Sequence, residues 1–449
     1  MKTCNISLII ILSILFFGCS DQEQIKPNIV LIMTDDLNDY NEVLKGHPQA
    51  ITPNIKKLSD SGTSFMKAYT NNPICGPSRS SFLSGIYPHN SLNFWQKPWY
   101  NNDVLANTKT IVEKFKENGY YVVGSGKILH HNKKELWSEF EHNSDLGPVA
   151  YKGKKEKGKI GISHPDIPKP FRTERMVGCC NMNGGQIDGS FGPLKNVENI
   201  KLDGEQLSWA YGGSRGYKEF KYVSEDDRDL TPDEINAQWA ENKINELAKL
   251  DNDNPFFLAV GFVRPHTPLI APQKYFDMYP LEEIELANIL EKDKDDTFFH
   301  DEDQFETKER RTRSIESYQN LIKSYKTKEE ALKRFTQAYL ACVTAVDDNI
   351  GQVVNAIDNS KFKDNTIIVF VSDHGWTMGE KNHVYKNSLW EESTRVPLTI
   401  RAPGLTKPNS KVNHPVSLID VYPTLLELAG LDNNCLLYTS DAADEEDSV

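Results

Sequence analysis

Four stretches of unbroken apolar, β-rich sequence each run into polar residues able to do chemistry. Ile29-Val30-Leu31-Ile32-Met33 leads into Asp35-Asp36, and Tyr120-Tyr121-Val122-Val123 leads through Gly124-Ser125-Gly126 to Lys127 and His130. Phe256-Phe257-Leu258-Ala259-Val260 leads to Arg264-Pro265-His266, and Thr366-Ile367-Ile368-Val369-Phe370-Val371 to Asp373-His374. Continuous rather than alternating apolar runs suit strands buried on both faces, as in a parallel sheet between helices. Ligands of open α/β sheets collect at the carboxyl ends of the strands, so four such ends predict one shared site. Between the runs, residues 110–118, 330–358 and 419–428 show helical apolar spacing, with Gly119 placed to cap the first. Alternating βα units of this kind predict a doubly wound α/β domain.

A chain of 449 residues is long enough for two or three average domains, although α/β enzymes often run longer as one unit. Its formal charge of -13 argues against nucleic acid as a partner. An anionic substrate would therefore need a positive site set inside an acidic shell. Residues 132–230 read as an insertion rich in Gly, Lys and Asn, with Lys152, Lys154, Lys155, Lys157 and Lys159 close together. That run is a solvated loop or, given an anionic substrate, a contact to it. Residues 291–313, crowded with both charge signs, read as an exposed helix or loop.

Paired carboxylates at a strand end are costly to bury unless a cation neutralises them. Asp35-Asp36 alone suits a cap or turn, but Asp373-His374 after a second strand makes a metal site the better reading. Oxygen-dominated ligands favour a hard ion, Ca²⁺ or Mg²⁺, over zinc. Arg79, Lys127, His130, His266 and Lys386 form a basic group. Each alone would be an ordinary surface charge or a core histidine. Arg79 follows Cys75 by four positions, one turn if a helix begins at Pro77.

Cys75-Gly76-Pro77-Ser78-Arg79, followed by Leu83-Ser84-Gly85, resembles the signature of the type I sulfatases. Gly126-Lys127-Ile128-Leu129-His130, Arg264-Pro265-His266-Thr267-Pro268, and Gly379-Glu380 with Lys386 resemble three further blocks in the family order. Ala259 to Pro268 and Tyr275-Phe276-Asp277-Met278-Tyr279-Pro280 are similar to iduronate-2-sulfatase and its bacterial relatives. The resemblance runs from about Pro27 to Leu431. It implies the alkaline-phosphatase-like fold, and a separate maturation enzyme that oxidises Cys75 to formylglycine. It also implies one Ca²⁺ held by Asp35, Asp36, Asp373, His374 and the modified Cys75, with His374 where many members carry Asn. The hydrated aldehyde would attack sulfur and form a covalent sulfate hemiacetal. Arg79 and Lys127 would hold the hydrate and metal shell. Lys386 and His266 would bind sulfate and protonate the departing oxygen, and His130 would act as base, with the division between the histidines left open. The implied substrate is a sulfated glycan whose sugar the sequence does not name. Two rivals remain: a phosphomonoester or phosphonate hydrolase of the same superfamily, and a surface glycan-binding lipoprotein with a dead site. The second predicts gaps in the constellation, and the sequence has none.

The ends read differently. Lys2 precedes an apolar run from Ile6 to Phe17, too short to span a bilayer. Phe16-Phe17-Gly18-Cys19 resembles a bacterial lipobox, in which Cys19 becomes the lipidated first residue, and Ser20-Asp21-Gln22-Glu23 resembles the acidic tag of surface-exported lipoproteins. A plain secretory peptide cleaved nearby is the alternative, and either predicts export. Residues 1–19 are thus expected to be a signal peptide and 24–434 a catalytic domain. Residues 435–449 resemble translated adapter sequence, which would leave the family's smaller C-terminal subdomain truncated. Of seven cysteines, Cys4 and Cys19 belong to the leader, Cys75 to the signature and Cys435 to the tail, while Cys342 falls in a helical pattern and reads as core. Cys179 and Cys180 are adjacent, so a bond between them would be strained, and no structural disulfide is predicted.

Overall fold

The structure, a computed structural model, describes residues 26–152, 160–172, 174–176, 189–212, 218–252, 254–297 and 313–432. Asn28–Asp35 (β1), Thr63–Phe65 (β2), Tyr121–Gly126 (β3), Glu139–Asn143 (β4), Phe256–Pro265 (β5), Thr366–Ser372 (β6), Leu398–Arg401 (β7) and Ser410–Val412 (β8) make one eight-stranded sheet. The order is β8-β2-β7-β6-β1-β5-β3-β4. The four apolar runs of the sequence are its contiguous centre, β6-β1-β5-β3, and all three of those pairings are parallel. β7 runs antiparallel to both of its neighbours.

Side chains of a strand alternate between faces, and here both faces are covered. Val30, Ile32, Leu258, Val260, Ile368 and Phe370 join one core. It is closed by the helices Pro53–Asp60 (α1), Pro232–Ala248 (α4) and Lys328–Asp358 (α5). Ile29, Leu31, Met33, Phe257, Ala259, Val369 and Val371 join the other. Cys75–Ser84 (α2), Ile111–Glu117 (α3) and Val421–Leu428 (α6) close that side. This double cover is why the runs carry no polar alternation, and it makes the domain doubly wound, as predicted.

Helix boundaries follow local chemistry. Thr110 and Glu113 form a capping box at the start of α3, and Gly119 just past its end takes φ +85°, a left-handed conformation that glycine adopts without strain. Cys342 is fully buried in α5, as expected of a core residue. One expectation needs correction. α2 begins at Cys75 rather than Pro77, with the Ser78 N–H donating to the Ile74 carbonyl at 2.9 Å. Pro77 is tolerated there because first-turn N–H groups have no intrahelical acceptor.

The insertion is more ordered than its composition suggests. Val149–Lys152, Ile160–Ile162, Glu174–Met176, Lys201–Leu202, Glu205–Tyr211 and Lys218–Phe220 form a second, antiparallel sheet. Ala150, Ile162, Leu207, Trp209 and Phe220 give it a small core of its own. Lys152 lies within this sheet and pairs with Asp203 at 2.7 Å, while Lys154, Lys155, Lys157 and Lys159 lie outside the described residues. So do Cys4, Cys19, Cys179, Cys180 and Cys435, with the leader and the tail. In the charge-crowded stretch, Asp293–Asp296 forms a short turn tied to Lys381, and residues 298–312 are outside the description. Among the described residues, no helix is long and apolar enough to cross a membrane.

Candidate active site

The carboxyl ends of the four central strands meet over the first turn of α2. β1 delivers Asp35 and Asp36, β6 is followed by Asp373 and His374, β5 by His266, and β3 by Lys127. The Cys75 thiol is fully buried among them. Lys386 Nζ donates to Cys75 Sγ at 3.0 Å and to Asp36 Oδ1 at 2.7 Å, and His374 Nε2 lies 3.4 Å from the same sulfur. Arg79 Nε donates to Asp373 Oδ2 at 2.8 Å, and its other nitrogens reach the carbonyls of Thr34, Lys127 and Ile128. It thereby ties α2 to the ends of β1 and β3. Lys127 Nζ is ion-paired with Asp35 Oδ2.

Asp35, Cys75, Asp373 and His374 each offer a ligand atom within 4.8 Å of the others, and Asp35, Asp36, Cys75 and His266 do the same. Asp35 Oδ1 and Asp36 Oδ2 are buried without a hydrogen-bond donor. Such atoms are rare in folded proteins unless a cation fills the gap. All five ligand positions expected from the sequence are therefore brought together, and their oxygen-rich set suits a hard divalent ion.

The electrostatics are strongly uneven. Burial alone would raise the Asp35 carboxyl, but Lys127, His266, Arg79 and Lys386 outweigh it and hold it well below the usual carboxylate range. Asp36 goes the other way, pushed well up by burial and by the negative charge of Asp35, against the pull of Lys386. Burial, with Lys386 and Lys127 close by, holds His266 well below the usual imidazole range. Burial, Lys127 and His131 hold His130 down at about 3. His130 stands at the edge of the cluster. Its Nδ1 is buried without a partner, and its ring lies edge-on to His131 with centroids 4.7 Å apart.

The ring nitrogens of the other two histidines can be assigned. His266 Nδ1 lies 2.5 Å from the Thr267 carbonyl and His374 Nδ1 3.1 Å from that of Gly375. A carbonyl only accepts, so Nδ1 carries the proton in both, and each Nε2 presents its lone pair to the site.

Several supporting residues escaped the sequence reading. Asp36 sits at φ +67°, an uncommon conformation for a non-glycine residue. Tyr339 of α5 holds it there, donating to the Asp36 carbonyl at 2.6 Å and accepting from the Asn38 N–H at 3.0 Å. Asp233 in the first turn of α4 accepts from the N–H groups of Val263 and Arg264, both at 2.8 Å, and so fixes the approach to His266. Ser78 Oγ donates to the Asp373 carbonyl at 2.6 Å. A hydroxyl in an apolar helix face was the sole signal for Tyr339. Gly261 is required for packing, because a Cβ there would lie 2.1 Å from the Lys127 carbonyl oxygen.

A buried cysteine at a helix start thus faces a fixed lysine and carboxylates with unpartnered oxygens, an arrangement that suits an anionic substrate. Residues 27–431 match the sulfatase family model, and the chain belongs to that family. It is similar to a sulfatase of Formosa agariphila, at 33% identity over 90% of this chain and 70% of that one. It is also similar to mouse iduronate 2-sulfatase, at 27% identity over 90% and 69%. Among solved structures it resembles Ps i-CgsB in complex with a neocarrahexaose, at 25% identity, TM-score 0.54, covering 91% and 73% of the two chains. A phosphonate monoester hydrolase of Agrobacterium radiobacter shares the fold at 19% identity, TM-score 0.57, covering 91% and 74%. The fold is thus the alkaline-phosphatase-like one expected, and the chain is a sulfuric ester hydrolase.

Proposed function

We propose that the protein releases sulfate from a sulfated saccharide, with Cys75 oxidised to formylglycine as nucleophile and one Ca²⁺ at its side. The observation that carries this reading is the placement of Cys75 Sγ between Lys386 Nζ at 3.0 Å and His374 Nε2 at 3.4 Å, at the mouth of the orphaned carboxylates. Asp35, Asp36, Asp373 and His374 would hold the ion, which supplies positive charge beside the nucleophile and the sulfonyl oxygens. Oxidised Cys75 supplies a hydrated aldehyde whose hydroxyl can attack sulfur.

The remaining roles draw their support from this chain's own geometry. Arg79, fully buried and bonded to Asp373 and three carbonyls, fixes the nucleophile's helix to the metal-facing loops. Lys127 neutralises Asp35. Lys386, beside the sulfur of Cys75, places a fixed charge where negative charge grows on the sulfonyl group. His266 Nε2 points its lone pair toward the cluster, 3.9 Å from Asp36 Oδ2, where it can take the proton that the attacking hydroxyl sheds and pass it to the leaving oxygen. His130, at the edge, is the remaining imidazole for the step that regenerates the aldehyde. The saccharide is supported by the similarity to Ps i-CgsB, which was crystallised with a neocarrahexaose.

The phosphonate hydrolase neighbour gives the second reading its footing. A sulfate monoester carries one negative charge and a phosphate monoester two. Turnover by the oxidised protein of an aryl sulfate and the matching aryl phosphate separates the two readings. We expect kcat/KM to favour sulfate by at least about tenfold, roughly 1.4 kcal/mol, and a preference for phosphate would overturn the assignment.

Export by a lipid anchor on Cys19 is proposed from the lipobox resemblance. Metabolic labelling with a tagged fatty acid should mark the wild type and leave Cys19→Ser unlabelled, and equal labelling of both would refute the anchor.

A further inference from the structure

The rim beside the nucleophile is basic and aromatic in an otherwise acidic chain. Residues 86–102 and 127–134 hold Lys97, Lys127, Lys133 and Lys134 with three histidines and no aspartate or glutamate, whereas the whole chain carries -13. Close contacts stitch the two segments together at Cys75. The Gln96 Cα lies 3.1 Å from where a Cβ on Gly76 would stand, so this loop crosses directly over the residue after the nucleophile. His131 Nε2 lies 3.3 Å from the Gln96 carbonyl, and Trp99 Nε1 donates to the His131 carbonyl at 2.9 Å.

From this frame Phe94 and Trp95 stand 50% and 61% exposed, side by side. Lys133 Nζ sits 4.3 Å over the Tyr100 ring. Lys97, Lys133 and Lys134 form no ion pair among the described residues. Adjacent exposed aromatics mark a binding surface more often than a structural one, and an aromatic face suits the apolar C–H face of a sugar ring. Lys97, two residues from Trp95, and Lys133, over the Tyr100 ring, carry ammonium groups without an ion-pair partner, which suit an anion. Lys133 also lines, with Lys116, the cleft behind Trp99 and Tyr100, where Glu113, Glu117 and Glu135 disfavour an anion, so Lys133 is the better partner for an anion on its Gln96 side.

We infer that this rim is a second subsite, which binds the sugar next to the one carrying the scissile sulfate. Trp95 lies against that sugar's ring, and Lys97 and Lys133 take a second anionic group. The substrate is then an oligosaccharide with more than one anionic substituent. This rests on the sulfatase reading for its orientation, but its test does not require turnover.

The test is calorimetric binding of a disulfated and a monosulfated galactose disaccharide to wild type, Lys133→Gln and Trp95→Ala, with turnover of a small aryl sulfate measured alongside. The wild type should bind the disulfated sugar more tightly. Lys133→Gln should weaken that binding about tenfold, as expected for one charge-assisted hydrogen bond, and leave the monosulfated sugar nearly unchanged. Trp95→Ala should weaken both, and aryl sulfate turnover should not move in either variant. Equal affinity of the wild type for the two sugars, or equal losses on both in Lys133→Gln, would overturn the subsite. Discriminating binding without sulfate release from any ester would instead overturn the proposed activity and leave the subsite standing.

Discussion

Cys75→Ala should lower sulfate release by about 10,000-fold or more while the protein still melts cooperatively near the wild-type temperature. The size follows from deleting a covalent nucleophile, which leaves only the catalysis supplied by binding and by fixed charges. The fold should survive, because the change removes one buried sulfur while Lys386 keeps Asp36 and His374 keeps the Gly375 carbonyl as partners, so its stability cost is about 1 kcal/mol. Steady-state turnover and thermal unfolding of the two proteins side by side give the result. A variant retaining a tenth of wild-type turnover would remove Cys75 from the mechanism. Mass spectrometry of the active wild type should show the thiol converted to aldehyde at Cys75. Protein made without a maturation enzyme should carry the thiol and be nearly inactive.

The second large effect concerns the ion. Chelation should abolish turnover, and added Ca²⁺ should restore it and raise the melting temperature. Ligand at a hundred times its dissociation constant stabilises by about 2.7 kcal/mol. Asp35→Asn should lose the Ca²⁺-dependent rise, because it removes a donor that lies within reach of Cys75, Asp373 and His374. The substitution also leaves Lys127 without its buried carboxylate partner, which costs about 3–5 kcal/mol by itself. The Ca²⁺ shift is therefore measured within each protein rather than between them. Full turnover in chelator, or an unchanged shift in Asp35→Asn, would refute the metal site.

The central strands and the site were legible for one shared reason. A strand buried on both faces must be apolar throughout, and whatever follows it at the carboxyl end must face the common crevice. Ile29 to Met33 and Thr366 to Val371 therefore announced both their place in the sheet and the convergence of Asp35, Asp36, Asp373 and His374 on one crevice. The second sheet was not legible. Its strands run from two to seven residues, and one strand of the small sheet, Lys201–Leu202, is too short to show a period. β7 was missed as well, since Leu398-Thr399-Ile400-Arg401 has no neighbour in sequence that reveals its antiparallel partners. Tyr339 and Asp233 act on backbone groups far away in sequence, and no local pattern encodes such a contact. The helix start at Cys75 was misplaced because a proline permits the first turn without fixing which of its positions it fills.

Asn28 of β1 stands opposite Thr366 of β6, so the heart of the sheet joins segments made at nearly opposite times during synthesis. Until β6 seats itself, Asp373, His374 and Lys386 are absent from the surroundings of Cys75, and the enclosure of the thiol is incomplete. Once it has seated, the thiol has no exposed surface at all. On the proposed chemistry, oxidation of Cys75 and closure of the sheet are then competing processes, with the long-range pairing of β1 and β6 as the clock. Pairings so distant in sequence form slowly, which on that chemistry would leave the cysteine accessible to a modifying enzyme before the sheet closes.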